Sequence, residues 1–165
     1  MNSVFYQEES QRLTKRNYVY GSYIIIGWIL TALMSLGIYG NPGKTLTLVP
    51  CMFMHTWGAA IVISALCDDL YTITELGQKH PRLIKYAFVP VPQKDLYLSC
   101  VMLMGKYLLI YHFGFIALYL GFCLLLGAKL QFPSLLLEEL VLLLLNALVL
   151  LIYTIIGIKK NGGLK

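Results

Sequence analysis

Long apolar runs without a charged residue constrain this chain more than any other feature. A transmembrane helix needs about 20 apolar residues to cross roughly 30 Å of hydrocarbon. Residues 20–39, 46–66 and 107–126 contain no Asp, Glu, Lys or Arg, and residues 135–158 form a fourth apolar run. We therefore predict an all-α, polytopic helical membrane protein with four transmembrane helices.

The composition excludes several other classes of protein. Of the 165 residues, 58% are hydrophobic and 13% are charged, which leaves too little polar surface for a water-soluble domain. The net charge of +5 would suggest a nucleic-acid partner if the basic residues formed one face. The apolar runs separate those residues, so we expect no nucleic acid. The 4 cysteines are too sparse for a disulfide scaffold.

The distribution of Lys and Arg predicts which side of the membrane is cytoplasmic. Lys44 and Lys129 lie on one side of a four-span topology, Lys106 lies at the inner interface, and the rest of the 13 basic residues lie on the other side. The positive-inside rule then places both termini in the cytoplasm of a multi-pass cell-membrane protein. The residues on the inner side are Arg12, Lys15, Arg16, Lys79, Arg82, Lys85, Lys94, Lys159, Lys160 and Lys165.

Three segments outside the apolar runs complete the predicted topology. Residues 1–19 are a cytoplasmic N-terminal segment, in which Glu8 and Arg12 have the i,i+4 spacing that stabilises a helix. We expect a short helix at the inner membrane surface there, and no signal peptide, because the segment is acidic and the apolar run after it is too long. Residues 67–95 are a cytoplasmic loop, and residues 159–165 are a cytoplasmic tail.

The long cytoplasmic loop ends in a proline-containing elbow. Pro90 and Pro92 precede Lys94 and Asp95. Proline just before a helix fixes the entering backbone without removing a needed donor, and an acidic residue suits the first turn. We expect the new helix to run along the cytoplasmic surface over residues 96–106 before it enters the membrane. Such an elbow is suited to transmit a push from a soluble partner into the membrane.

Histidine and cysteine within the apolar runs are candidate chemical groups. Cys51 and His55 are four residues apart and would share a helix face, a spacing that fits a thiol–imidazole pair or two metal ligands. Helix packing is the favoured interpretation, because cysteine is commonly buried as a small apolar residue. His112 and Cys123 are eleven residues apart in the third apolar run and would also lie on roughly one helix face. We expect no carboxylate beside them. We predict neither a catalytic residue nor a metal site.

Three further polar residues lie in the fourth apolar run. The amide of Asn146 needs a hydrogen-bond partner in lipid, so we expect it to bridge two helices rather than to contact a substrate. Glu138 and Glu139 lie one turn inside the run. We expect them at the membrane interface, with a polar path through the membrane as the alternative.

The elbow resembles the corresponding segment of ABC-2 type ABC transporter permease subunits. In that family an apolar residue, Pro, an aliphatic residue, a hydroxyl residue, basic residues and an acid precede the third span. The matching residues are Val89, Pro90, Val91, Lys94, Asp95, Leu96 and Tyr97. The departures are Pro92 at the hydroxyl position, Gln93 at the first basic position, and Cys100 where Lys is frequent.

The resemblance implies a function as the membrane permease subunit of an ATP-driven exporter. The chain has no P-loop motif, so ATP and Mg would be bound and ATP hydrolysed by a separate nucleotide-binding ATPase subunit, with no cofactor in this chain. Family members usually have six spans, so four spans imply a second permease subunit in a homo- or hetero-oligomer. The loop would hold a coupling helix that docks the ATPase. The implied docking residues are Glu75, Leu76, Lys79, Arg82, Ile84, Lys85, Phe88, Lys94 and Asp95.

Three other interpretations stay open at this point. The charged loop fits an ordinary solvated connection. The four spans also fit a non-transporting membrane accessory or immunity protein that binds a partner through its helices. A membrane-embedded thiol enzyme that uses Cys51 and His55 is the third alternative.

Overall fold

Helices dominate the structure. The computed structural model describes residues 3–39, 52–75, 78–83, 92–125 and 132–161. In these residues the predicted helical class is confirmed, with one short β-hairpin in addition. The elements are α1 (Ser3–Lys15), α2 (Asn17–Tyr39), α3 (Met52–Tyr71), β1 (Thr72–Glu75), β2 (Gln78–Pro81), α4 (Gln93–Leu125) and α5 (Phe132–Lys160).

Two helices in the described residues are long and apolar enough to cross a membrane. They comprise Gln93–Gly121 in α4 and Leu136–Lys160 in α5. Length and composition alone set these two helices apart. The four-span topology therefore remains a prediction.

The α3 helix continues past the predicted end of the second span. It ends at Tyr71 rather than at Leu66, so Asp68 and Asp69 lie in its last turn and not in a loop. Acidic residues are unfavourable near the negative end of a helix dipole unless cations neutralise them. Arg16, in the turn between α1 and α2, and Lys160 of α5 provide this neutralisation.

An antiparallel hairpin follows α3 in the segment that leads to α4. Thr72 pairs with Pro81 and Glu75 pairs with Gln78. The resemblance implied a coupling helix in this loop, whereas Thr72–Glu75 and Gln78–Pro81 form strands. The physical reason lies in Thr72, Ile73 and Thr74, whose β-branched side chains favour strands.

The α4 helix begins directly after Pro92, as expected from the elbow. The backbone N–H of Asp95 donates to the carbonyl of Pro92 at 2.9 Å, and Asp95 lies in the first turn. The hydroxyl of Tyr107 donates to Oδ1 of Asn17 at 2.6 Å, which sets the middle of α4 level with the start of α2. The first turns of α4 therefore extend beyond α2, where they lie against α1.

Apolar side chains from several helices form the core around these first turns. Phe5 and Leu13 of α1 are buried, as are Leu70 of α3 and Leu96 and Leu103 of α4. These residues belong to one continuous cluster. The helix predicted for residues 1–19 is thus present as α1, and its apolar face packs on the protein.

Gly58 allows Tyr111 to lie between the helices. A Cβ atom at position 58 would collide with the Tyr111 hydroxyl, which donates to the carbonyl of His55 at 3.1 Å. The Nε1 of Trp28 on α2 donates to the carbonyl of Tyr111 at 3.0 Å. The absence of a side chain at Gly58 therefore permits the close contact of α3 and α4.

Replacing this glycine should destabilise the fold. Gly58→Ala should lower the free energy of unfolding by about 1–3 kcal/mol, because the added methyl group overpacks the contact with Tyr111. Thermal unfolding in detergent micelles, followed by circular dichroism, provides the measurement. The control is Gly21→Ala in α2, where an added Cβ meets nothing within 4 Å. Equal melting temperatures for the two variants would contradict this role for Gly58.

Candidate functional site

Charged and polar side chains gather where α1, α2, α3, the hairpin and α5 meet. We call this cluster the junction. It is built from residues that are far apart in sequence and are joined by ion pairs and hydrogen bonds. Its members are Glu9, Arg12, Arg16, Tyr20, Asp68, Asp69, Lys79, Arg82, Lys160 and Asn161.

Glu9 is the buried centre of the junction. The residue is 2% exposed. Its Oε2 lies 2.8 Å from Nε of Arg12, and its Oε1 lies 2.8 Å from Nη2 of Arg82. A buried carboxylate is tolerated only with such partners, because removal from water is costly. The pairs hold α1 against the segment that follows β2.

Asp69 connects the end of α3 to the first two helices. Nη1 of Arg16 lies 2.7 Å from each carboxylate oxygen, and the hydroxyl of Tyr20 donates to Oδ2. The backbone carbonyl of Asp69 accepts from Nη2 of Arg12 at 2.9 Å and from Nη1 of Arg82 at 3.4 Å. Both arginines that pair with Glu9 therefore also hold α3.

Asp68 connects the hairpin to the end of α5. Its Oδ1 lies 3.2 Å from Nζ of Lys160, and its Oδ2 lies 3.5 Å from Nζ of Lys79 on β2. Burial alone would raise the pKa of Asp68, but hydrogen bonds and charge attraction from the two lysines outweigh it. The net effect is a pKa below the ordinary value for aspartate.

Asn161 fixes the segment after the hairpin to α5. Its Oδ1 accepts from the backbone N–H of Leu83 at 3.0 Å. Its Nδ2 donates to the carbonyl of Tyr71 at 3.1 Å and to that of Gly157 at 2.9 Å. One amide side chain thus joins α3, the segment after β2, and α5.

The predicted docking residues divide into three groups. Arg82 is largely buried in the junction, where it binds Glu9, so its side chain is not an exposed contact for an ATPase. Lys79, Glu75 and Lys94 have exposed side chains, and Asp95 is half-buried. Leu76, Ile84, Lys85 and Phe88 lie outside the described residues.

Sequence reasoning missed the central residues of the junction. It paired Arg12 with Glu8, whereas the structure pairs Arg12 with Glu9 at i,i+3 spacing. The available signal was the apolar pattern of α1, because Phe5, Glu9 and Leu13 recur every four residues on one face. Nothing local identifies Asp69 as the partner of Arg16.

A second polar group lies inside the helix bundle. We call His55, His112, Glu139 and Asn146 the histidine cluster. Nδ2 of Asn146 lies 2.7 Å from Nε2 of His112, so the amide bridges α5 and α4 as predicted. Oε2 of Glu139 lies 3.5 Å from Nδ1 of His112. The expectation that no carboxylate accompanies His112 was therefore wrong, because α5 turns Glu139 inward.

The two candidate cysteine–histidine pairs, Cys51–His55 and Cys123–His112, fall partly outside the described residues. Cys51 lies outside the described residues, as does the side chain of Cys123. Glu138 is half-buried beside Glu139. In the described part of the chain no group of three or more His, Cys, Asp or Glu residues is arranged to hold a metal ion.

Comparison with known proteins gives no relative. No family model, curated protein or solved structure matches this chain. Arguments about its function therefore start from the junction, the hairpin and the histidine cluster.

Loss of the buried carboxylate should weaken the fold. Glu9→Ala should lower the free energy of unfolding by about 3 kcal/mol, since it leaves two enclosed guanidinium groups without their partner. Chemical or thermal denaturation in detergent provides the measurement. Glu8→Ala changes an exposed position on the same helix and should cost less than about 0.5 kcal/mol. Similar losses in both variants would show that Glu9 has no special role.

The lowered pKa of Asp68 predicts a pH dependence of stability. The folded state binds its proton less tightly than the unfolded chain does. The stabilising contribution is therefore complete above the unfolded pKa of about 3.9 and is lost as the pH falls through the lower folded pKa. The melting-temperature difference between wild type and Asp68→Asn should shrink over that range. A difference that stays constant down to the lowest pH would contradict the assignment.

Proposed function

We propose that this chain is the membrane permease subunit of an ATP-driven, ABC-type exporter. It would work with a separate nucleotide-binding ATPase subunit that binds ATP and Mg. The observation that supports the proposal is the junction, which ties the cytoplasmic hairpin to four helices. A partner that pushes on the hairpin can shift the transmembrane helices only through such contacts. A loop without these contacts would be displaced alone.

The hairpin offers the partner an exposed face. Gln78, Lys79 and His80 on β2 are exposed, and so is Glu75 on β1. The hairpin is also anchored to the helices, since the exposed Lys79 pairs with Asp68 of α3. ATP-driven closure of the partner would press this face toward the membrane and bias an equilibrium between inward-open and outward-open states.

The force would follow the ion pairs of the junction. Arg82 lies directly after β2 and binds both Glu9 of α1 and the carbonyl of Asp69 at the end of α3. The α1 helix in turn lies against the first turns of α4. A displacement of the hairpin would therefore shift α3 directly and α4 through α1. These are the two helices on either side of the loop.

The position of the helix ends supports the proposed topology. The end of α1, the start of α2 and the ends of α3 and α5 meet at the junction through Arg12, Arg16, Asp69 and Lys160. An even number of crossings brings these ends to one side, as the positive-inside rule predicts for this sequence.

The outer surface of α5 supports a lipid environment. Leucines on this helix are exposed in the isolated chain, and an apolar surface of this kind suits lipid or a second membrane subunit. They include Leu136, Leu137, Leu140, Leu144, Leu148 and Leu151. We therefore propose membrane lipid and a second permease subunit as further partners, in a cell-membrane assembly.

Site-directed photocross-linking in the native membrane tests the proposal. A p-benzoylphenylalanine placed at the exposed His80 position should cross-link to a partner that mass spectrometry identifies as a P-loop ATPase. The matched control places the same residue at Phe53, an exposed position at the opposite end of α3. That position should give no ATPase adduct, because it would lie across the membrane.

The cross-linking result also separates the main alternative. An ATPase adduct from both positions, or from neither, would contradict docking on the hairpin. Adducts to another membrane protein alone would favour the non-transporting accessory or immunity protein, which binds its partner through its spans.

A further inference from the structure

The histidine cluster is unusual because it encloses ionisable groups among apolar helices. His55 and Asn146 are fully buried, and His112 is 2% exposed. Glu139 has 12% of its side chain exposed. Such groups are costly to remove from water, and within a membrane they generally serve a function. The inference drawn from them does not depend on the exporter proposal.

The hydrogen bonds define the protonation of His112. The amide Nδ2 of Asn146 is a donor and lies 2.7 Å from Nε2 of the ring, and the tautomer that matches this contact has no proton on Nε2. The ring proton is therefore on Nδ1, which lies 3.5 Å from Oε2 of Glu139. In this arrangement His112 is neutral, and an ionised Glu139 would leave one uncompensated negative charge in the cluster.

The cluster also has more acceptors than donors. Oε1 of Glu139, Oδ1 of Asn146, Nδ1 of His112 and both ring nitrogens of His55 are buried and have no hydrogen-bond partner among the described residues. With Nδ1 of His112 protonated and His55 neutral, three of these atoms are acceptors and two are donors. A bound proton would supply the missing donor and remove the negative charge.

The rings around His55 limit the size of any ligand. Its ring centroid lies 4.4 Å from that of Phe115, 4.7 Å from that of Tyr111 and 4.9 Å from that of His112. These spacings correspond to direct contact between the rings. No organic ligand fits between them, whereas a proton needs no space.

Other titratable groups near the cluster are phenols and one carboxylate. On α4 the Tyr111 hydroxyl donates to the carbonyl of His55 at 3.1 Å, and Tyr119 lies next to Phe115 with a ring separation of 5.9 Å. On α5 Glu138 precedes Glu139 and is half-buried. Within the described ranges the ion-pair partner of Glu139 is His112.

We propose that the histidine cluster is a proton-binding site within the helix bundle. One proton from the solvent binds Oε1 of Glu139 and converts the carboxylate to a carboxylic acid. The Asn146–His112 hydrogen bond stays intact. The net charge of the cluster changes from −1 to zero, so the protonated state suits the enclosed surroundings.

The proton would control how α5 packs on α4. With the proton bound, the cluster is uncharged and the two helices meet through the Asn146–His112 hydrogen bond. Its release leaves a carboxylate between them, and hydration of that charge favours their separation. Proton occupancy would therefore bias the equilibrium between a closed and a hydrated arrangement of this end of the bundle.

Infrared difference spectroscopy of the full chain in lipid nanodiscs tests the proposal. At neutral pH an exposed glutamate is ionised and gives no carboxylic-acid band. Because the proposal has Glu139 protonated, wild type should show a buried carboxylic-acid carbonyl band that shifts in D₂O and disappears at high pH. Glu139→Gln should lack the band. Glu138→Gln is the matched control on the same helix turn and should keep it. Absence of the band from wild type, or its persistence in Glu139→Gln, would overturn the proposal.

A second measurement needs no variant. ¹⁵N NMR of histidine-labelled wild type at neutral pH should show His112 as a neutral ring with its proton on Nδ1. The exposed His80 serves as the internal reference for a solvent-exposed ring. A His112 ring that is doubly protonated at neutral pH would overturn the proposal, because the proton would then be on the imidazole and Glu139 would be ionised.

Discussion

The enclosed carboxylate of Glu9 is the interaction on which the rest of the structure depends. It lies between two guanidinium groups, one from its own helix and one from the segment after the hairpin. Both arginines also bind the carbonyl of Asp69. One buried charge thus brings α1, the end of α3 and the segment after the hairpin into a fixed arrangement. Because an unpaired buried charge is costly, these elements should move together rather than separately.

Much of the helical framework follows from the sequence. Uncharged apolar runs indicate the long helices, and Pro92 with Asp95 indicates where α4 begins. Helix ends were less predictable, since Asp68 and Asp69 look like loop residues until their cations are known. The hairpin was missed because the resemblance favoured a helix over the β-branched residues Thr72, Ile73 and Thr74.

The polar sites were harder to predict because their partners are distant in sequence. Arg16 meets Asp69, and Lys160 meets Asp68, across many residues of chain. A sequence gives the charge of each residue but not which helix ends meet. Burial is equally hard to predict from sequence, because Glu9 and Glu139 look like ordinary surface carboxylates there and only the packing of the helices encloses them. Asn146 was predictable because an amide in an apolar helix needs a partner.

A double-mutant cycle on Glu9 and Arg82 tests the mechanical link between α1 and the hairpin most directly. The free energy of unfolding is measured for wild type, Glu9→Gln, Arg82→Gln and the double variant. A link through this ion pair predicts a coupling energy of about 1–3 kcal/mol, so the double variant should lose less stability than the sum of the single losses. Strictly additive losses would show that the two residues act independently and would contradict the account.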